Sequence, residues 1–365
     1  MVRRIGTALL LLLFTVGAAE VLLRLRPPFG IRVQGDRIAL PTEVDDVIRG
    51  STLPGTDPVI HLHRNRLGLR GPDLPPDTAG LLRIVAVGGS TTECMYLSDG
   101  HDWPALLGAH LAGGPPLGVG RPTWVNNAGL DGHSTFGHAI LLEDHILRLR
   151  PHVVLLLVGA NELGRTDLGR HDRAQWRTRP RAWWEHSALW RTWQAWRQTR
   201  TVREAGIGHH ALDLTTAPAP LAPDSAMAQL AREQALLPAY RQRLEDLVAL
   251  CRNRGALPVL ITQPCIASNV ADTVLARRLM DLPLLTGTDG RTLVRRLGSI
   301  NDITRAVALA HDLPLIDLAR MLPGGPAHYY DAFHFTKNGA AAVASLCADR
   351  LSAYLSARYP QYPTH

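Results

Sequence analysis

The stretch "RIVAVGGSTTECMYL" at residues 83–97 decides the fold class of this 365-residue chain. It opens with the apolar and β-branched residues of a buried strand, and Gly88 and Gly89 end that strand abruptly. Ser90 is the first side chain beyond the strand. A serine at this position is either the cap of a helix that follows a tight turn or a nucleophile held at the rim of a sheet.

Outward from this strand (residues 82–87), short apolar runs alternate with helical patterns. Further strands are predicted at residues 124–127, 153–158, 257–262 and 313–316. Helices are predicted at residues 103–111, 137–149, 238–254, 303–311 and 337–358, the last with Thr336 as its N-cap. Uninterrupted apolar strands separated by helices indicate a mostly parallel sheet that is buried on both faces. We therefore expect a doubly wound, three-layer α/β/α fold with five strands, and ligands beyond the carboxyl ends of those strands.

The composition is that of a globular protein, with 46% hydrophobic and 19% charged residues. The net charge is +7, and Lys337 is the only lysine, so nearly all of the 39 basic residues are arginines. The arginines occur throughout the chain and accompany no nucleic-acid-binding motif, so we expect no nucleic-acid partner. Walker A, Rossmann glycine and HExxH motifs are absent as well, and we expect neither a metal nor an organic cofactor.

Cysteines and paired histidines show no ligand pattern. No CxxC pair and no zinc spacing occurs, which leaves a single disulfide as an open alternative among Cys94, Cys251, Cys265 and Cys347. Two histidine pairs have no acidic or cysteine partner at ligand spacing, and we interpret them as surface residues: His61/His63 and His209/His210.

The N-terminus, "MVRRIGTALLLLLFTVGAAEVLLRLRPP", predicts a membrane segment. Two arginines precede an uncharged apolar run at residues 5–19, and counting through Leu23 gives the ~20 residues that cross a bilayer. We predict that residues 1–26 form an uncleaved anchor, with the basic end cytoplasmic and the rest of the chain exported. Cleavage at the small residues 17–19, which gives a secreted or periplasmic protein, and a buried soluble helix are the alternatives.

The remaining chain divides by composition. Residues 27–80 are rich in proline, glycine and aspartate and predict an irregular lead-in, whereas residues 81–358 form the α/β domain. A helical insertion interrupts that domain at about residues 165–235 and holds six of the eight tryptophans: Trp176, Trp183, Trp184, Trp190, Trp193 and Trp196. We interpret these tryptophans as the small hydrophobic core of the insertion itself. The alternatives are a cap over the functional site and a face that touches the membrane interface, where tryptophan and arginine are favoured.

Residues with catalytic chemistry follow the predicted strands or precede the last helix. A serine nucleophile needs a base, a group that orients the base, and hydrogen-bond donors for an oxyanion. Gly132, in "NNAGLDGHS", follows the second strand and offers a bare backbone N–H, and Asn161, in "VGANE", follows the third with a side-chain amide. Asp331 and His334, in "YYDAFHFTKNG", are three residues apart, so they suit the roles of orienting group and base for Ser90.

These pieces resemble the four sequence blocks of the SGNH (GDSL-type) hydrolase superfamily. Ser90 matches the first block, Gly132 the second, Asn161 the third, and Asp331 with His334 the D-x-x-H block. The resemblance covers roughly residues 81–358.

Features outside the four blocks bear on this resemblance. The segment "HRNRLGLRGPD" at residues 63–73, and Glu20 with Arg24 at the end of the anchor, resemble membrane-anchored bacterial members. One departure is Gly89, where the namesake motif has aspartate.

The resemblance implies a flavodoxin-like serine esterase. Ser90 would attack an acyl carbonyl, His334 would move the proton, Asp331 would fix the imidazole, and the N–H groups of Ser90 and Gly132 with the Asn161 amide would hold the oxyanion. The implied substrate is an acyl ester. The candidate that we consider is an O-acetyl ester on a glycan of the cell envelope. The alternatives are an O-acyltransferase that uses the same triad and a non-catalytic envelope binding protein.

Overall fold

The computed structural model describes residues 2–26, 33–34, 37–113, 122–164, 182–204 and 209–359. The chain forms two compact units, residues 1–41 with 172–208 and residues 42–171 with 209–365, and each is described by itself.

The strands, in chain order, are β1 Val33–Gln34, β2 Arg37–Ile38, β3 Val44–Arg49, β4 Val59–Arg64, β5 Leu82–Gly88, β6 Thr123–Asn127, β7 Val153–Leu157, β8 Leu257–Ile261, β9 Pro283–Leu285, β10 Thr288–Asp289 and β11 Leu315–Ile316. The α-helices are α1 Val2–Leu25, α2 Ser90–Glu93, α3 Trp103–Ala112, α4 Thr135–Asp144, α5 Ala188–Glu204, α6 Pro223–Arg252, α7 Thr273–Asp281, α8 Gly290–Ala310, α9 Leu318–Met321 and α10 Lys337–Arg358. Short 3₁₀ turns occur at Ile146–Leu149, Ala160–Glu162 and Trp183–His186.

The larger unit is built on a five-stranded parallel sheet in the order β11-β8-β7-β5-β6, which confirms the predicted fold class. Ala86 of β5 lies opposite Asn127 of β6 on one side and Leu155 of β7 on the other. The chain thus leaves β5 toward β6 and returns on the opposite side at β7. The carboxyl ends of β5 and β7 therefore form the topological switch point, where ligands bind in sheets of this kind.

Helices cover both faces of the sheet. α3 packs against α10, and α6 packs against α4 and α8. Successive residues of β5, including Ile84 and Val85, have no exposed surface, which explains why that strand is an unbroken apolar run. Full burial of one such side chain is worth about 2 kcal/mol, so the sheet is a rigid base for the loops beyond its carboxyl ends.

Helix α6 begins earlier than the sequence pattern predicts. The prediction began at Pro238, but the helix starts at Pro223 and continues through Pro238. An internal proline removes one backbone hydrogen bond and usually kinks or ends a helix. Side-chain contacts stabilise α6 on both sides of the proline. Before it, Glu233 accepts a hydrogen bond of 2.8 Å from Arg296, and after it, the side chain of Tyr240 is buried. The predicted insertion therefore ends inside a helix of the larger unit.

Other predicted boundaries also shift. The helix predicted at residues 137–149 ends at Asp144 and is followed by the 3₁₀ turn Ile146–Leu149, and the helix predicted from residue 303 begins at Gly290. Both changes leave the layer arrangement intact.

Residues of the predicted lead-in support the region after Ser90. β3 and β4 form an antiparallel hairpin, which is followed by the buried side chain of Arg70. The Arg70 guanidinium donates hydrogen bonds to the carbonyl oxygens of Glu93, Cys94 (3.1 Å) and Leu97 (2.9 Å). It also donates to the carboxylate of Asp99 at 2.9 Å. The loop that follows α2 is thus fixed by a residue that precedes β5.

All four cysteines are buried and unpaired, so none of them forms a disulfide. Burial raises the pKa of both Cys94 and Cys251 to about 12, which keeps these thiols protonated.

Candidate active site

Ser90 does not cap a helix. The carbonyl of Gly89 accepts hydrogen bonds from the backbone N–H groups of Thr92 (3.0 Å) and Glu93 (2.9 Å), so Gly89 occupies the N-cap position of α2. Ser90 is the first residue of that helix, and its hydroxyl makes its hydrogen bond to His334. The end of the first strand therefore presents a serine side chain beyond the sheet, as the sequence pattern predicts.

Ser90, His334 and Asp331 form a continuous hydrogen-bonded chain. Ser90 Oγ lies 2.7 Å from His334 Nε2, although the two residues are 244 positions apart. His334 Nδ1 lies 2.6 Å from Asp331 Oδ2. The second carboxylate oxygen of Asp331 accepts the backbone N–H groups of Phe333 (2.9 Å) and His334 (2.7 Å), which fixes the carboxylate plane.

The electrostatics of Asp331 determine how the imidazole is protonated. Burial by itself raises the pKa of this carboxyl, but the hydrogen bonds from the His334 ring and from the backbone N–H groups of Phe333 and His334 outweigh burial and hold the pKa below its ordinary value. Asp331 is therefore ionised at neutral pH and can only accept hydrogen bonds. It follows that Nδ1 of a neutral His334 carries the proton, and that Nε2 presents its lone pair to the Ser90 hydroxyl.

Asn161 lies directly against the backbone that precedes the serine. It belongs to the 3₁₀ turn Ala160–Glu162 after β7, and its Nδ2 donates a 2.9 Å hydrogen bond to the carbonyl of His133. A Cβ atom added to Gly89 would lie only 2.4 Å from Asn161 Nδ2. The glycine at this position therefore allows the amide to approach the serine turn closely.

Gly132 lies in the connection between β6 and α4. Leu130 N donates to the Gly88 carbonyl at 3.0 Å on one side of it, and the His133 carbonyl accepts from Asn161 on the other. Gly132 has a φ of +71°, which favours glycine, and no atom lies within 4 Å of where its Cβ would be. Within the described residues, the backbone N–H groups of Ser90 and Gly132 donate to no protein acceptor.

Comparison with known proteins decides the family. The model of the GDSL-like lipase/acylhydrolase family matches residues 86–342, which include all five predicted site residues. The chain belongs to this family. As a GDSL-like acylhydrolase, the protein hydrolyses ester bonds.

Solved structures of GDSL-like acylhydrolases and esterases are similar to this one. A GDSL-like lipase from Bacteroides thetaiotaomicron is 11% identical, with a TM-score of 0.41, over 77% of this chain and 93% of its own. A lipase/acylhydrolase from Enterococcus faecalis is 17% identical, with a TM-score of 0.41, over 74% and 96%. An acetylxylan esterase from Geobacillus stearothermophilus, a catalytic mutant, is 12% identical, with a TM-score of 0.42, over 74% and 93%. No curated protein matches the sequence.

His209 of this GDSL-like acylhydrolase lies beside His334 of the predicted triad. The interpretation of His209 as a surface residue is wrong, because only 7% of its side chain is exposed, whereas His61, His63 and His210 are exposed as expected. Its ring centroid is 4.0 Å from that of His334, and its Nδ1 is 2.6 Å from the hydroxyl of Tyr330. The Tyr330 ring is stacked with His334 at 5.6 Å. No local pattern distinguishes His209 from His210, so the sequence offered no signal for it.

One cluster has the residue types of a metal site. His209, Asp331 and His334 each offer a ligand atom, and these atoms lie within 4.8 Å of one another. However, Asp331 and His334 already bond to each other, and His209 Nδ1 bonds to Tyr330. A cation would have to break the Asp331–His334 pair in order to bind. The arrangement therefore favours proton transfer over metal binding.

Proposed function

We propose that this GDSL-like acylhydrolase is a membrane-anchored serine esterase that removes acyl groups through a covalent intermediate on Ser90. The observation that carries the proposal is the hydrogen-bonded chain from the Ser90 hydroxyl through His334 to Asp331. An alcohol is a weak nucleophile at neutral pH, and an adjacent base with a free lone pair is what activates it. Both requirements are met at the rim where α/β folds of this kind bind substrates.

In the proposed reaction, Ser90 Oγ attacks the ester carbonyl while His334 Nε2 takes the hydroxyl proton. The backbone N–H groups of Ser90 and Gly132 and the Asn161 amide donate to the oxyanion that forms. Each such donor contributes about 3 kcal/mol or more to lowering the barrier. The intermediate collapses when His334 returns the proton to the leaving alcohol. Water then attacks the acyl-enzyme with His334 as base, which releases the acid and restores Ser90.

The proposed location rests on α1. Arg4–Leu25 is long and apolar enough to cross a membrane, and none of that segment is buried within the protein. Two arginines, Arg3 and Arg4, precede the apolar run, so the N-terminus should remain in the cytoplasm and the catalytic unit should be exported. A reporter enzyme fused after residue 26 should be active only outside the cytoplasm; activity inside the cytoplasm would contradict the anchor. The substrate class that we propose for this compartment is an O-acetyl ester on a cell-envelope glycan.

Covalent labelling tests the nucleophile. A fluorophosphonate probe should label the full-length protein, and Ser90→Ala should abolish the labelling while the protein stays folded. Labelling that persists in Ser90→Ala, or a folded wild-type protein that neither reacts nor cleaves any of a panel of acyl esters, would overturn the proposal. Acetate release from an acetylated polysaccharide should not require an acceptor glycan. Acetyl transfer that occurs only with an acceptor present would identify a transferase instead.

A further inference from the structure

The net charge and the tryptophans of this protein are concentrated in one segment. Residues 165–204 contain ten arginines and four acidic residues, so they carry +6 of the chain's net charge of +7. The same 40 residues hold six of the eight tryptophans. The described part of this segment comprises the 3₁₀ turn Trp183–His186 and α5, which belong to the same compact unit as α1.

Glu20 of α1 joins this segment to the candidate membrane span. One carboxylate oxygen of Glu20 accepts the backbone N–H of Ala188 at 2.7 Å, and the other accepts that of Leu189 at 3.0 Å and the hydroxyl of Ser187 at 2.8 Å. Glu20 also bonds to Arg24 at 2.9 Å. Backbone N–H groups at the start of a helix have no intrahelical acceptor, so Glu20 of one helix serves as the cap of the other.

The contact is confined to the end of α1. Residues 4–18 are exposed along the whole of that stretch, whereas Ala19, Glu20 and Leu23 are partly covered. At 1.5 Å per residue, residues 4–18 alone extend about 22 Å, which is most of the ~30 Å hydrocarbon core of a bilayer. If α1 crosses a membrane, the N-terminus of α5 is therefore held at the level where the span ends.

The surface of α5 and its preceding turn has the chemistry of the membrane–water boundary. The Trp183 side chain is 81% exposed, and Trp193 and Trp196 are 44% and 48% exposed. Arg197 lies over the Trp193 ring at 5.1 Å, and Arg200 lies over the Trp196 ring at 5.8 Å. Exposed indoles cost hydrophobic free energy in water but are favoured at lipid headgroups, and arginines beside them suit phosphate groups.

We propose that α5 and the Trp183–His186 turn form a second membrane contact, which lies in the headgroup layer on the exported side and binds anionic phospholipid. This inference rests on the proposed anchoring by α1. Glu20 fixes the level of α5, the exposed indoles enter the interface, and the arginines bind lipid phosphates. The partner is an anionic bilayer surface because the turn and α5, residues 183–204, contain four arginines and two acidic residues and so carry a net charge of +2.

Site-specific fluorescence tests the contact in the full-length protein. All four native cysteines are buried, so Trp193→Cys can be labelled selectively with an environment-sensitive fluorophore. In vesicles that contain phosphatidylglycerol, the emission should shift to the blue and should be quenched by lipids with a spin label near the headgroup. Leu309→Cys on α8, at a site that is 86% exposed, is the matched control and should not be quenched.

The outcomes separate this inference from the anchor. If the vesicles float with the protein but the label at position 193 behaves like that at position 309, the interfacial contact is wrong and the anchor stands. If the protein does not float with the vesicles, the anchor itself fails. Hydrolysis of a soluble ester by both labelled variants reports separately that the catalytic unit is folded.

Charge substitutions test the lipid preference. Arg197→Gln with Arg200→Gln should weaken docking of α5 on anionic vesicles about fivefold per arginine, because each basic residue near such a surface contributes about that factor. The quenching of the label at position 193 should fall accordingly, and salt should have the same effect. Arg66→Gln, at an exposed arginine of the other unit, should not change it. Equal quenching in neutral phosphatidylcholine and anionic vesicles would contradict an electrostatic contact.

Discussion

The ring of His209 packs against the ring of His334, with centroids 4.0 Å apart. Burial and the neighbouring His334 lower the pKa of His209 to about 3, so His209 is neutral at physiological pH. Because so low a pKa makes His209 a weak base, it does not compete with His334 for the Ser90 proton. We expect the His209 ring to restrict the rotation of His334 and to exclude water from one face of that ring.

We expect His209→Ala to lower kcat about tenfold, because His334 would then leave the Ser90 geometry more often. His209→Phe keeps a ring of similar size and should retain more activity than His209→Ala. Tyr330→Phe is the matched control: it removes the hydrogen bond to His209 but keeps the stacked ring. Solution NMR of the His334 ring resonances measures the positioning directly. Unchanged His334 dynamics in His209→Ala would contradict a positioning role.

Asn161→Ala should lower the rate of acylation about a hundredfold or more and should leave KM nearly unchanged. The reason is that an oxyanion gains more from the amide than a ground-state carbonyl does. The lost bond to the His133 carbonyl should cost only about 1 kcal/mol of the free energy of unfolding. Asn161→Asp should be slower still, since a carboxylate would repel the developing charge. Pre-steady-state burst kinetics and thermal unfolding together check this, and activity lost only in proportion to folded protein would refute it.

Gly89→Ala should act through Asn161. A Cβ at position 89 would lie 2.4 Å from Asn161 Nδ2, so the amide must move away from the serine turn. We expect kcat to fall nearly as far as in Asn161→Ala, and the double variant to be little worse than either single one. Additive losses in the double variant would show that Gly89 acts independently of Asn161. The same contact explains why aspartate, the residue of the namesake motif, does not fit here with Asn161 in its present position.

The lowered pKa of Asp331 predicts that the free energy of unfolding depends on pH in acid. Its pKa is lowered in the folded protein relative to about 3.9 in an unfolded chain, so its contribution to the free energy of unfolding is complete above about pH 4. That contribution is lost as the pH falls through the folded-state pKa. In denaturant unfolding, wild type should therefore have a larger free energy of unfolding than Asp331→Asn near pH 5, and this difference should become smaller by about pH 3. A difference that is constant over this range would contradict the assignment. At neutral pH, Asp331→Asn should also lower kcat by about 10⁴-fold.

The sequence was sufficient for the parts of the site that depend on local pattern. The strand that ends in Gly88, the serine after it and the Asp331–His334 spacing are all short-range features, and each lies where the pattern predicts. The alternative of a helix cap at Ser90 is resolved by Gly89, whose carbonyl accepts the first hydrogen bonds of α2. A capping glycine has no side-chain signature in such a turn.

Contacts between residues that are distant in the chain could not be predicted from the sequence. The His209 side chain is covered by Tyr330 and His334, more than 100 positions away, whereas the adjacent His210 is exposed. Similarly, Pro238 predicts a helix start, but packing of α6 against two other helices overrides that local preference. In both cases the deciding free energy comes from residues distant in the chain.

The bonds of Arg70 bear on how this protein evolves. The family match begins at residue 86, after Arg70, yet the Arg70 guanidinium holds the carbonyls of the loop that follows Ser90. A chimera that joined residues 81–358 to an unrelated leader would bury those carbonyls without their donor, at about 1–3 kcal/mol for each. Recombination between Arg70 and β5 should therefore be selected against. Arg70 and the loop that follows Ser90 should therefore be inherited together and should change together among homologues.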